Sequence, residues 1–153
     1  MTKENLGDPA QRAEMIARLR RMTPESPRRW GRMTPHQAVC HLSDSFRSMM
    51  SAVAITSVAT PWSRTVIKWV ALRAPMKWPH GVPTRPEVDQ MIGGTRPVEF
   101  TRDREQLEGI VEQFAARSGD NFQPHPMFGR LTTEEWQRWA WRHMDHHLRQ
   151  FGV

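Results

Sequence analysis

The sequence has no tyrosine and a single cysteine, Cys40. A lone thiol excludes an internal disulfide framework and a cysteine-rich zinc finger. Long apolar runs are missing too. The most apolar stretch, residues 49–72, is interrupted by Pro61, Arg64 and Lys68. It falls short of the ~20 uninterrupted apolar residues that a membrane span needs. The opening Met-Thr-Lys-Glu-Asn-Leu-Gly-Asp-Pro is polar and lacks the apolar core of a secretory signal. The expected address is therefore the cytoplasm. No segment sustains the period-two alternation of a half-buried strand. There is no internal repeat and no low-complexity segment. Gly93-Gly94-Thr95 lacks the spacing and the lysine of a phosphate-binding loop.

What remains is an ordinary globular balance. Of 153 residues, 38% are hydrophobic and 25% charged, which argues against a disordered chain. That length suits one domain, residues 1–153. Seven Trp and ten Met supply core volume in place of the absent tyrosines. The net charge of +6 permits an anionic partner without choosing between nucleic acid, lipid headgroups and an acidic small molecule.

Proline, glycine and capping residues divide the chain into helices. Asp8-Pro9 reads as an N-cap followed by proline at the first helical position, opening a helix over about 8–22. Pro24 and Pro27 stop it. Thr34-Pro35 opens a second helix to about residue 51, with Ala38, His41, Leu42, Ser45, Phe46 and Met49 on one face. A long connection follows, about 52–100, carrying one short amphipathic helix over about 61–74. Its remainder, 75–97, holds five Pro and three Gly and reads as irregular. Loops of that length in a compact domain are often functional. A third major helix covers about 101–118, with Leu107, Ile110, Val111 and Phe114 inward and Gly119 as its stop. Thr132 and Glu135 form a capping box for the last helix, about 132–151, which Gly152 ends. The class is all-α: four long helices plus a short one suggest a four-helix bundle with a long crossover.

Histidines carry the chemical signal. His143 and His147 lie four apart on the last helix, so both imidazoles can address one point, about 6 Å apart at their Cβ atoms. His41 occupies the inner face of the second helix and can add a third nitrogen. Three neutral imidazoles with an open position make a catalytic divalent-metal site. Zinc, nickel, iron and copper all suit imidazole. The plainer alternative is a set of hydrogen-bonded core and rim histidines, but three of them are costly to bury without partners. His143 can also pair with His146, three residues on. His147 is preferred because it continues the Trp139–His143–His147 row, leaving His146 at the rim. Metal-bound imidazoles usually give their second N–H to a carboxylate or carbonyl, and Asp44, Asp145 and Gln150 are the candidates. Cys40 adjoins His41 but points about 100° away on a helix, so it reads as a packed thiol. His80 and His125, in Pro-rich loops, read as exposed.

At these residues the sequence resembles a known group. The stretches are Trp30-Gly31-Arg32-Met33-Thr34-Pro35-His36-Gln37, Cys40-His41-Leu42-Ser43-Asp44-Ser45-Phe46-Arg47, and His125-Pro126-Met127-Phe128-Gly129-Arg130-Leu131-Thr132, followed by His143 to Gly152. Over about residues 10–152 the chain resembles the DinB/YfiT-like superfamily of metal-dependent proteins, and most closely a branch described only as a domain of unknown function. The resemblance implies a DinB-like four-helix bundle in up-down-down-up order. It implies a divalent metal held by His41, His143 and His147. It further implies dimerisation, and activities such as transfer or isomerisation with low-molecular-weight thiols like bacillithiol or mycothiol. The long insert, here about 62–97, is a departure from the superfamily pattern.

Three functions follow as expectations. The first is a metal-dependent enzyme, a thiol-linked transferase or a hydrolase acting on a small molecule. A divalent ion of zinc, nickel or iron would lower the pKa of a bound water to about 7 or deprotonate a thiol. Asp44 would accept a proton or orient His41. The second is a non-enzymatic protein whose metal only stabilises the bundle. The third is a nucleic-acid or membrane-surface binder, drawn from Arg18, Arg20, Arg21, Arg28, Arg29 and Arg32 and from the basic amphipathic segment 62–73. Pro24 and Pro27 break the basic region and no nucleic-acid motif is present. Segment 62–73 reads more plainly as a helix whose Trp face packs on the core.

Overall fold

The computed structural model describes residues 4–51 and 55–153. These form five α-helices: α1, Pro9–Arg21; α2, Pro35–Met50; α3, Lys68–Arg73; α4, Phe100–Ala115; and α5, Thr133–Gln150. No strand occurs among the described residues; His125 and Gly129 make one isolated antiparallel bridge. No described helix is long and apolar enough to cross a membrane.

The helix starts follow from their caps. Asp8 accepts from the N–H groups of Ala10 and Gln11 ahead of Pro9. Thr34 with Gln37, and Thr132 with Glu135, each close a reciprocal capping box. Such caps satisfy N–H groups that the first turn leaves without partners. Helix α4 begins one residue before the expected Thr101, because Glu99 takes the N–H groups of Thr101 and Arg102. It also ends three residues before the expected Ser118, so Gly119 is not its stop. A Cβ at Gly119 would lie 2.7 Å from the backbone nitrogen of Thr133. Glycine there lets the chain pass close to the start of α5. Gly152 does end α5, with φ of 77°, a conformation that costs glycine nothing.

The core lies between α2, α4 and α5, with α1 packed on α5 and α4. Leu42, Phe46, Leu107, Val111, Phe114, Trp136, Ala140 and Met144 are essentially sealed from solvent. Phe46 meets Phe114 at 4.9 Å between ring centroids, and Phe114 meets Phe122 at 4.6 Å. These offset and tilted ring pairs add specificity to the area they bury.

The segment between α2 and α4 departs from expectation. A π-turn, Ser63–Ile67, precedes α3. The buried Ser63 hydroxyl donates to the Met127 carbonyl at 2.6 Å and so ties this turn to the 125–129 loop. Ser63, Leu72 and Ala74 are thereby turned inward, while Trp62 and Trp69 stand 69% and 58% exposed. The expected Trp face on the core is thus reversed. The tryptophan of this segment that packs inward is Trp78, whose indole N–H caps the Ala71 carbonyl.

Arg142 of α5 holds the insert down. Its buried guanidinium donates to the carbonyls of Ala71 and Ala74, each at 2.8 Å, and to Glu4. Arg142→Leu leaves the Ala74 carbonyl without this donor and the Ala71 carbonyl with Trp78 alone, at about 1–3 kcal/mol per buried group left unpaired. Trypsin should then cut at Arg73 and Lys77 well before the rest of the chain. An unchanged digestion order in the variant would show that Arg142 is not the anchor.

Candidate metal centre

Helix α2 brings His41 to the inner side of α5, where His143 and His147 stand one turn apart. The Nε2 atoms of His41 and His143 lie 3.1 Å apart. The ring of His147 is 4.8 Å from that of His41 and 5.1 Å from that of His143, centroid to centroid. One ring nitrogen from each of the three lies within 4.8 Å of the others. Two nitrogens bound at about 2.0–2.1 Å to a tetrahedral ion sit roughly 3.3 Å apart, close to the spacing of the first pair.

The second ring nitrogens determine which lone pairs are free. His41 Nδ1 lies 2.8 Å from the Val88 carbonyl, which can only accept. Its proton therefore sits on Nδ1 and Nε2 carries a lone pair. Gln150 donates its amide N–H to the Trp30 carbonyl at 2.9 Å, which turns its oxygen toward His147 Nδ1, also 2.9 Å away. His147 thus donates from Nδ1 and likewise offers Nε2. His143 Nδ1 is buried with no partner.

Burial is the main force lowering the pKa of all three. The neighbouring imidazoles push His143 and His147 further down. The Val88 carbonyl and the charges of Asp44 and Asp89 partly oppose burial at His41. The centre is therefore three neutral imidazoles, the state a divalent ion requires of its ligands. His146 points elsewhere, among Trp30, Trp78 and His80. Burial, then the charge of Arg149, pushes it down to about 4.

The carboxylates expected around the centre have other partners. Asp44 accepts from the Gln90 amide at 2.8 Å and from the backbone and hydroxyl of Thr95 at 2.7 and 2.8 Å. It fastens the insert to α2 and makes no hydrogen bond to His41. Asp145 pairs with Arg18 and Arg149. Of the three orienting candidates, only Gln150 reaches an imidazole of the centre; a backbone carbonyl serves His41. Cys40 is buried and its thiol is pushed up to about 12, by desolvation first and then by Asp103 and Asp44. It stays protonated, 3.8 Å from Asp103. Asp103 also binds His36 at 2.6 Å, a pair the helical pattern did not single out.

Two cavities flank the centre. One, of about 370 Å³, is mainly apolar and includes Met49, Trp78, Phe128 and Trp139 beside all three histidines. The other, of about 330 Å³, is lined by Trp30, Arg32, Asp89 and Gln90 and also reaches His147. The segment Val82-Pro83-Thr84 and His146 border both. His80 is exposed as expected, stacked on Trp30 at 3.9 Å. His125 is not: it is only 9% exposed and lines the apolar cavity. Its Nδ1 accepts the N–H groups of Met127 and Phe128, each at 3.1 Å, and its ring stacks on Phe128. The His-Pro-x-Phe-Gly pattern was the available signal, since Gly129, with φ of 71°, lets the turn close.

Fold and centre together define a helical protein with three neutral imidazoles, two buried and one half-buried, at the wall of an apolar cavity. The chain belongs to the family described as "Protein of unknown function (DUF1569)", whose model matches residues 7–152. No curated protein and no solved structure matches it.

Proposed function

We propose that this protein is a DinB-like metalloenzyme that uses a divalent transition metal, zinc, nickel or iron, on a small-molecule substrate. Helices α1, α2, α4 and α5 would be its four-helix bundle, in up-down-down-up order, and residues 52–100 its crossover insert. The observation that carries the reading is the meeting of three neutral imidazoles, two with their spare N–H already held, at the wall of a cavity. His41, His143 and His147 would hold the ion. The ion would supply Lewis acidity, giving a thiol or a water nucleophilic character at neutral pH. Around it, Val88 and Gln150 orient imidazoles, and Trp78, Phe128 and Trp139 keep water out. No carboxylate lines the apolar cavity, so Asp44 is not the proton acceptor in this reading.

Thiol transfer is preferred to hydrolysis, on the resemblance to thiol-using DinB-like proteins. In that reaction the thiol loses its proton, a carbon–sulfur bond forms and the electrophile's leaving group departs. The test uses metal-loaded protein with a low-molecular-weight thiol and 1-chloro-2,4-dinitrobenzene, beside an aryl ester. Metal-dependent thioether formation, lost in His143→Ala, is expected. Ester cleavage alone would make the protein a hydrolase. Bound metal with neither activity would leave it a metal-stabilised, non-enzymatic protein. Homodimerisation belongs to the same reading, and sedimentation at micromolar concentration tests it.

A further inference from the structure

The apolar cavity contains a polar group that the metal centre does not use. His125 is nine-tenths buried and lines the cavity. Two backbone N–H groups point at its Nδ1. A nitrogen that accepts twice cannot also carry the proton, so the proton sits on Nε2. Among the described residues, His125 hydrogen-bonds only through Nδ1 and its backbone. Nε2 has no partner among the described residues and keeps some accessible surface. Nε2–H is therefore a donor held in one tautomer and open to the cavity. Stacking on Phe128 at 4.4 Å and contact with Trp139 at 5.3 Å prevent the ring from turning away. The surrounding wall is Met49, Val58, Trp78, Met127, Phe128 and Trp139, with no carboxylate. Lys77, an exposed residue, and Arg85, which faces Glu87 at 4.0 Å, also line the cavity.

We propose that this cavity binds an uncharged, largely apolar small molecule carrying a carbonyl-type oxygen, and that His125 Nε2–H receives that oxygen. The inference names the substrate class of the proposed metalloenzyme and rests on that reading for its catalytic meaning. The binding itself needs no metal. An apolar wall selects for the hydrocarbon body, and a buried donor penalises any ligand that leaves it unpaired. Binding beside His143 would put the polarised carbon near the metal centre.

The test is direct binding to the whole protein in EDTA, read by quenching of tryptophan fluorescence, since Trp78 and Trp139 line the cavity. Three probes of similar shape are compared: 2-acetylnaphthalene, 2-ethylnaphthalene and 2-naphthoate. The ketone should bind about tenfold tighter than the hydrocarbon, the effect of one well-placed neutral hydrogen bond. His125→Phe removes the donor but also strands two backbone N–H groups. His125→Asn is the cleaner variant, because its short amide can still accept from the turn while falling short of the cavity. With an unchanged melting profile, His125→Asn should erase the ketone preference and leave hydrocarbon binding within twofold. A preference that persists in His125→Asn, or equal binding of ketone and hydrocarbon by the parent, would overturn the role of His125. Tightest binding of 2-naphthoate would overturn the uncharged class, and no binding of any probe would overturn the cavity as a ligand site. Because EDTA is present throughout, these results stand apart from success or failure of the metal reading.

Discussion

Protein purified without a His tag is expected to bind close to one equivalent of zinc, nickel or iron, and to lose that equivalent when His143, His41 or His147 becomes alanine. The three nitrogens converge, and two of the three rings are already fixed by Val88 and Gln150. Little reorganisation is then needed for binding. Removing one ligand should weaken affinity by more than the 10–100-fold typical of losing a group that only orients a ligand. Gln150→Leu, which removes such a group, should fall within that range. Metal at about 100 times its dissociation constant adds about 2.7 kcal/mol of stability. For a chain of this size that is roughly 5–10 °C in melting temperature. Elemental analysis and thermal melts with and without metal measure both effects. Failure to take up any metal after reconstitution with all three ions would sink the metalloenzyme reading, and the histidines would then be packed core residues.

Acid should unfold the metal-free protein far sooner than carboxylate titration alone would. Burial lowers His125 to about 3, against an ordinary value of 6.5. The unfolded chain therefore binds a proton between pH 6.5 and 3 that the folded chain refuses. Stability from this group is complete above pH 6.5 and declines as pH falls, at up to about 1.4 kcal/mol per unit. His41, His143 and His147 are shifted the same way and steepen the slope. Asp103 acts lower down. Burial works to raise it, but the bonds from His36 and Val98 prevail and hold it below the usual carboxylate range. Its contribution is present above about pH 4 and lost below. A domain with about 5–15 kcal/mol in hand should then lose its fold near pH 4–5. Urea midpoints in EDTA at pH 8, 6 and 5 should fall progressively. Equal midpoints at pH 8 and 5 would mean that these imidazoles are not buried neutral in solution.

The helices and the three-histidine face were legible because both depend on local rules. Asp8-Pro9, Thr34-Pro35 and Thr132 with Glu135 place caps by short-range hydrogen bonding, and the structure begins helices at each. His41 and the His143/His147 pair lie on apolar stripes at helical spacing, so packing α2 on α5 turns them toward one another. His146, one residue away, is rotated out by the same geometry. These features are determined by the sequence itself, because helical periodicity converts position along the chain directly into direction in space.

Everything that surrounds the histidines was decided by tertiary contacts. Residues 75–97 have no periodicity to read, and their path is held by Asp44 on Gln90 and Thr95 and by the Val88 carbonyl on His41. Trp62 and Trp69 lie outward because Ser63 bonds Met127, more than sixty residues away. His125 is buried because its turn stacks the ring on Phe128 and sets it against Trp139; the His-Pro-x-Phe-Gly pattern signals the turn but not the Trp139 contact. Asp44 reads as a proton acceptor only until the insert is in place and takes both its oxygens. Apart from the local turn at His125, the deciding partner is distant in sequence, and the free energy that selects it comes from satisfying polar groups that the fold takes out of water. Local propensity places the three histidines, whereas long-range hydrogen bonding builds the cavity they face.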